Sequence, residues 1–289
     1  MTDITDYLGL DAIVVFQVRD GVVTVVANTK CWQTRNDSTI KTFTRLYSDP
    51  TMRTLLPQNK LFIVYTGDSA TQFKHQTIPV LTYSTCPSKP NALAIPDFTF
   101  EHWPEVNLPH FYDEFYPHAI NILKEQPLND RVPKLLWIGA ETTPVRRQIV
   151  NTYKNDPNMV LHIMNWQTGP LLGLYDHAKF RYLLDIEGGG YSARLKYLFM
   201  LGSVVFVIKR DDEEYWWKEF VPWVDYVPVA RNATDLSEVF NRILSDQTLA
   251  AAIAIAGHQK ACTLFDMSRM HADYARILSQ HTPDIYIGQ

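Results

Sequence analysis

The chain has 289 residues, 46% of them hydrophobic, which is enough for one large domain or two of ordinary size. A formal net charge of −4, with both signs mixed along the chain, provides no strongly basic field and excludes bulk nucleic-acid binding. The three cysteines, Cys31, Cys86 and Cys262, lie far apart and form neither a zinc-type cluster nor an even disulfide set, so free thiols are expected.

The acidic start MTDITDYLGL lacks the apolar centre of a signal peptide, and no apolar run is long enough to span a bilayer. A cytoplasmic protein is expected, with the sequons at Asn36 and Asn232 as plain surface asparagines. Residues 12–27 predict a β-hairpin turning at Asp20-Gly21, and KLFIVYT (60–66) a buried strand ending at Gly67-Asp68. IPVLTY (78–83) predicts another strand. The region holding Pro87, Pro90, Pro96, Pro104 and Pro109 predicts ordered turns. A helix is expected over 111–125.

The segment QPLNDRVPK (126–134) divides an N-terminal part, 1–128, from a C-terminal part, 129–289. Beyond it strands and helices alternate. Strands are expected at 134–139, 159–164, 180–186, 203–208 and 225–229. Helices are expected at 144–154, 191–201, 213–220, 234–245, 248–263 and 268–280. Such alternation means a parallel sheet covered on both faces, with ligands outside the carboxyl ends of its strands. Gly139 and Gly188 to Gly190 follow strands directly and stand at that edge.

In IEGGGYSARLK (186–196) the glycines allow close backbone approach, Ser192 offers a hydroxyl and Arg194 a two-pronged cation. The residues alone leave two possibilities: an anion cradle at a helix start, or a tight strand-to-helix turn. WIGAETTPVRR (137–147) repeats the theme. Pro144 suits the first helical position, Thr143 the N-cap and Thr142 the ligand edge, with Arg146 one turn into the helix. Two such turns on neighbouring strands suit a diphosphate held between loops. Neither is GxGxxG or GxxxxGK[ST], so a dinucleotide fingerprint and a P-loop are absent.

Asp68 is either a general base or a turn cap. His177 and Lys179 precede the strand at 180 as ligand contacts or structural groups. Tyr215, Trp216, Trp217, Phe220 and Trp223 suit core or interdomain packing, and Asp211 to Glu214 a solvated helix start.

DHAKFRYLLDIEG, SARLKYLFMLGSVVF and PWVDYVPV together resemble glycosyltransferase family 90, which includes the Rumi-type protein O-glucosyltransferases and fungal capsule-associated xylosyltransferases. The resemblance extends more weakly over about residues 12–280, through WIGAETTPVRR, IPDFTFEHWPE and IVYTGDSATQ. It implies an α/β, GT-B-like fold: two Rossmann-like lobes with a nucleotide sugar between them, the C-terminal lobe binding the donor. It also implies inversion at the anomeric carbon without a metal or other cofactor. By position in the motifs, Asp68 matches the family's base. Arg194 matches its diphosphate arginine, with Ser192 beside it. Gly139, Thr142, Thr143 and Arg146 match the second donor loop.

Gly188, Gly189, His177, Lys179 and Lys196 complete the expected donor contacts. Ile138, Glu141 and Glu187 stand where the family often has arginine, so the diphosphate charge would rest on Arg194, Arg146, Lys196 and helix N-termini. The chain looks like a soluble microbial or large-DNA-virus member. The expected activity is xylosyl or glucosyl transfer from a UDP-sugar to a glycan hydroxyl. The alternatives are a catalytically weakened UDP-sugar-binding protein and a sugar-nucleotide hydrolase. Acceptor contacts are expected from the Pro-rich region and from loops at 28–45.

Overall fold

The computed structural model describes residues 10–29, 33–73, 80–89, 91–103, 110–165 and 172–280. Cys31, Pro90, Pro104, Pro109 and the first two residues of the strand expected at 78–83 lie outside them. Strands β1 (Ile13–Arg19) and β2 (Val22–Asn28) form the expected hairpin. Asp20 and Gly21 both take positive φ, 49° and 78°, as a two-residue turn matched to strand twist requires.

Helix α1 (Gln33–Ser48) and the short α2 (Pro50–Leu55) follow, then β3 (Lys60–Tyr65), β4 (Val80–Thr82) and β5 (Ala92–Ala94). The sheet order is β2-β1-β3-β4-β5. β1 pairs antiparallel with β2 and β3, and β3, β4 and β5 run parallel. β1 is buried on both faces: Val14, Phe16 and Val18 meet Phe43 and Phe62, while Ile13 and Val15 meet Leu61 and Ile63.

Two expectations are corrected here. Residues 28–45 are mostly helix rather than loop, because Phe43, Leu46 and Tyr47 form a buried stripe at helical spacing. Asn36 is fully buried rather than on the surface. Its amide donates to Asn28 Oδ1 (2.7 Å) and the Thr29 carbonyl (3.0 Å), and its Oδ1 accepts from Thr66 Oγ1 (2.6 Å). The helix expected at 111–125 is broken into a π turn at Phe111–Phe115, α3 (Tyr116–Ala119) and α4 (Ile122–Glu125).

The second sheet comprises β6 (Val132–Ala140), β7 (Met159–Met164), β8 (Phe180–Asp185), β9 (Val204–Ile208) and β10 (Val227–Val229), all parallel, in the order β7-β6-β8-β9-β10. In chain order this is a 2-1-3-4-5 sheet, whose topological switch point lies between β6 and β8. Around it pack α5 (Pro144–Tyr153), α6 (Leu195–Met200), α7 (Leu236–Ser245), α8 (Gln247–Leu264) and α9 (Met267–Gln280). The structure is thus the expected two-lobed α/β architecture.

α6 starts at Leu195 rather than 191, because residues 188–194 continue the turn out of β8. The helix expected at 213–220 shrinks to one 3-10 turn, Trp217–Glu219. Its first residues are spent elsewhere. Glu213 exchanges two backbone hydrogen bonds with Thr85 (2.8 Å each), and Glu214 pairs with Arg210 (2.9 Å). The run 211–214 is therefore no solvated helix start, for Asp212 and Glu214 are buried.

One apolar cluster runs through both lobes, joining Phe43, Phe98 and Phe100 to Tyr197, Phe265 and Tyr274. On α9, the Tyr274 ring stands edge-on to Phe43 at 6.4 Å, and its hydroxyl donates to the Pro96 carbonyl (3.1 Å). Trp216 and Phe220 pack on Phe199 within the same cluster.

Candidate active site

Three strand exits converge. β3 leads to Thr66-Gly67-Asp68, β6 to Glu141-Thr142-Thr143, and β8 to Glu187 and the three glycines. The glycine turn lies directly against the Asp68 loop: the Tyr191 N–H donates to the Asp68 carbonyl (3.3 Å). A Cβ on Gly190 would overlap that carbonyl and stand 2.8 Å from Ser69 Cβ. A Cβ on Gly189 would stand 3.1 Å from Asp68 Oδ2, whereas Gly188 has ordinary room beside Arg146 and Thr142. Glycine at 190 is thus required for the two lobes to meet. Gly190→Ala is expected to lose about 1–3 kcal/mol of stability, as strain pushes the loops apart. Urea denaturation checks this, and a wild-type midpoint would refute it.

Arg146 reaches back from the first turn of α5 and stitches two strand exits together. Its Nε donates to the Glu187 carbonyl, Nη1 to Ala140 and Nη2 to Ile186, each at 2.9 Å. Arg194 Nη1 donates to the Ile138 carbonyl at 2.5 Å. Both guanidinium groups flank the Trp137 ring, at 5.4 and 6.0 Å from its centre. Among the described residues neither has a carboxylate within ion-pair distance. Burial, then repulsion from Arg194, pushes Arg146 down to about 10, and burial lowers Arg194 as well. Two crowded cations at the switch point favour an anion between the strand exits.

Thr143 takes the extended backbone of an N-cap, but its hydroxyl makes no capping bond and is buried without a partner among the described residues. Thr142 is exposed at the same exit. Gly139 is buried, and a Cβ there would stand 2.8 Å from the Trp137 ring.

Other expected contacts are not brought to this point as expected. Lys196 is buried within α6, donates to both Asp97 oxygens at 2.9 Å, and spends its charge joining the lobes. Burial lowers its pKa, against the pull of Asp97. The Ser192 hydroxyl donates to Asp185 Oδ1 (2.6 Å), and Asp185 pairs with Arg210 (2.7 Å). Lys179 pairs at the surface with Asp176 (2.6 Å), before the amino end of β8, whereas the glycine turn follows its carboxyl end. His177 is buried within electrostatic reach of Arg194, with Nδ1 at 3.0 Å from the Gly173 carbonyl and Nε2 without a partner among the described residues. Burial, then Arg194, pushes it down to about 4, which keeps the imidazole neutral at pH 7.

Residues that the sequence did not assign to this site lie against it. Arg35 of α1 pairs with Asp68 Oδ1 at 2.7 Å. Asp212 accepts from the hydroxyls of Ser69 (2.8 Å) and Ser84 (3.0 Å), fastening the loop after Asp68 to the other lobe. Beside it, one Arg210 serves two carboxylates, Asp185 and Glu214. Burial raises Glu214 to about 7. The helical stripe of α1 is the one sequence signal that could have revealed Arg35. Among the described residues no cluster of His, Cys, Asp or Glu could hold a metal ion.

The chain belongs to glycosyl transferase family 90, whose model matches residues 6–283. It is similar to protein O-glucosyltransferase 1 of Rattus norvegicus, 24% identical over 225 residues, covering 71% of this chain and 57% of that protein. It is also similar to the O-glucosyltransferase rumi homolog of Aedes aegypti, 24% identical over 231 residues, covering 72% and 57%. The chain thus matches little more than half the length of these relatives. Among solved structures, Anabaena HepE in complex with UDP and glucose aligns with a TM-score of 0.36 at 15% identity, covering 58% of this chain and 45% of that one.

Proposed function

We infer that the protein is an inverting, metal-independent glycosyltransferase that moves xylose or glucose from a UDP-sugar to a hydroxyl of a glycan acceptor. The observation that carries this is the pair Arg146 and Arg194, free of carboxylate partners among the described residues, at the β6/β8 switch point, with Asp68 of the other lobe against the same glycine turn. Membership of family 90 supports the reaction class.

In this reading the UDP diphosphate lies between the β6 and β8 exits. Arg194, Arg146, the Thr143 hydroxyl and N–H groups of the glycine turn face it. Asp68 takes the proton of the acceptor hydroxyl as that oxygen bonds to the anomeric carbon. The bond from the anomeric carbon to the phosphate oxygen breaks, and its electron pair leaves with UDP. The arginines stabilise charge where it grows, in a cleft that limits water.

Calorimetric titration with UDP, UDP-xylose, UDP-glucose and a GDP-sugar, with and without EDTA, tests this. Selective binding of one UDP-sugar, unchanged by EDTA, is expected. No heat with any UDP compound would overturn the proposal.

A further inference from the structure

Resting on the assignment of Asp68 as base, we propose that Arg35 is a positioning residue that holds Asp68 with one carboxylate oxygen presented to the donor. The geometry is divided between the two oxygens. Oδ1 takes the Arg35 Nη1 at 2.7 Å, while Oδ2 is the carboxylate oxygen that faces the glycine turn, 3.1 Å from where a Cβ of Gly189 would stand. The same Nη1 also donates to the Thr66 carbonyl (3.3 Å), so one guanidinium grips both the strand exit and the carboxylate. Its face lies over the Phe98 ring at 5.4 Å, which fixes its plane. The next residue, Asn36, accepts from the Thr66 hydroxyl, so consecutive residues near the start of α1 anchor the exit of β3.

Two consequences follow. A carboxylate free to rotate would present either oxygen, or neither, to an acceptor hydroxyl. The Arg35 pairing leaves Oδ2 for the proton, and orientation of this kind governs rate more than affinity. A carboxylate close to a diphosphate also suffers like-charge repulsion, which an adjacent cation offsets. Burial works against the charged guanidinium, but Tyr191, Asp68 and Tyr83 together raise it above its ordinary value, so the cation persists.

The test measures UDP release from UDP-glucose and UDP-xylose, with water as acceptor, together with calorimetric UDP affinity. It covers Arg35→Ala, Arg35→Lys, Asp68→Asn and the double variant Arg35→Ala/Asp68→Asn. Arg35→Ala is expected to lower kcat about 100-fold with UDP affinity unchanged. Arg35→Lys is expected to recover part of the loss, and the double variant to be no slower than Asp68→Asn alone.

Full kcat in Arg35→Ala, or an equal loss in both backgrounds, overturns the role of Arg35. Full kcat in Asp68→Asn instead overturns the base assignment beneath it. Should Arg35→Ala not fold, Arg35→Lys decides. It keeps the charge but not the reach and planar shape that set Nη1 between Thr66 and Asp68, and must lose kcat only where Asp68 is present.

Discussion

Replacing Asp68 by Asn is expected to lower sugar transfer by about 10²–10⁴-fold while leaving UDP affinity close to that of the unchanged protein. Asn keeps the shape of the side chain and can still accept a hydrogen bond from Arg35, but it cannot take a proton. The loop itself should stay in place. It is fastened by the Tyr191 N–H on the Asp68 carbonyl and by the Ser69 hydroxyl on Asp212, and neither contact uses the carboxylate. Steady-state kinetics with UDP-xylose and UDP-glucose, paired with calorimetry, checks both halves. A fall in affinity that matched the fall in rate would mean that Asp68 shapes the donor pocket rather than the chemical step. An unchanged rate would remove it from the mechanism.

The second large effect is expected at Arg194. Arg194→Ala should weaken UDP binding and lower kcat/KM by about 10²–10³-fold, since a preorganised donor at developing charge is worth that much. The loss is expected to exceed the cost to folding. Arg194 shares no ion pair among the described residues, and the substitution gives up its hydrogen bond to the Ile138 carbonyl and its place over the Trp137 face. Arg194→Lys should recover little, because an ammonium cannot offer the planar fork. Lys179→Ala serves as the control. Its charge sits at the surface on Asp176, so both constants should stay where they are. Unchanged UDP affinity in Arg194→Ala would move the diphosphate away from the β6/β8 switch point.

The two predictions separate the lobes: one residue enters from the N-terminal sheet and is expected to govern rate, the other from the C-terminal sheet and is expected to govern donor binding. At Gly190 the two lobes touch, beside the Lys196–Asp97 and Ser69–Asp212 contacts. The Pro-rich region contributes too, though not as turns alone. It contains β5, and Asp97 near its end receives Lys196 across the lobes.

Much of this was legible in the sequence. Strand periodicity and strand-helix alternation marked the parallel sheet, and glycines directly after two strands marked its strand exits. The motif resemblance singled out Asp68, Arg146 and Arg194, which the structure brings to neighbouring strand exits. Where inference failed, the cause was an unseen partner. Arg194 and Lys196 look equivalent as cations two residues apart. Every residue of α6 is buried, however, so no polar face distinguishes the cation turned to the strand exits from the one paired with Asp97. The acidic run 211–214 reads as solvated because its partners are distant in sequence: Ser69 and Ser84 for Asp212, Thr85 for Glu213.

The sequence by itself determined the parallel C-terminal sheet, the glycine turns at its strand exits and the family, because periodicity, glycine placement and motif spacing are local properties of the chain. Only the tertiary structure decided which charges pair across the lobes and which stand at the strand exits without a carboxylate. That depends on pairing between residues 99 apart for Lys196 and Asp97 and 143 apart for Ser69 and Asp212, and a buried charge is defined by its partner rather than by its own position.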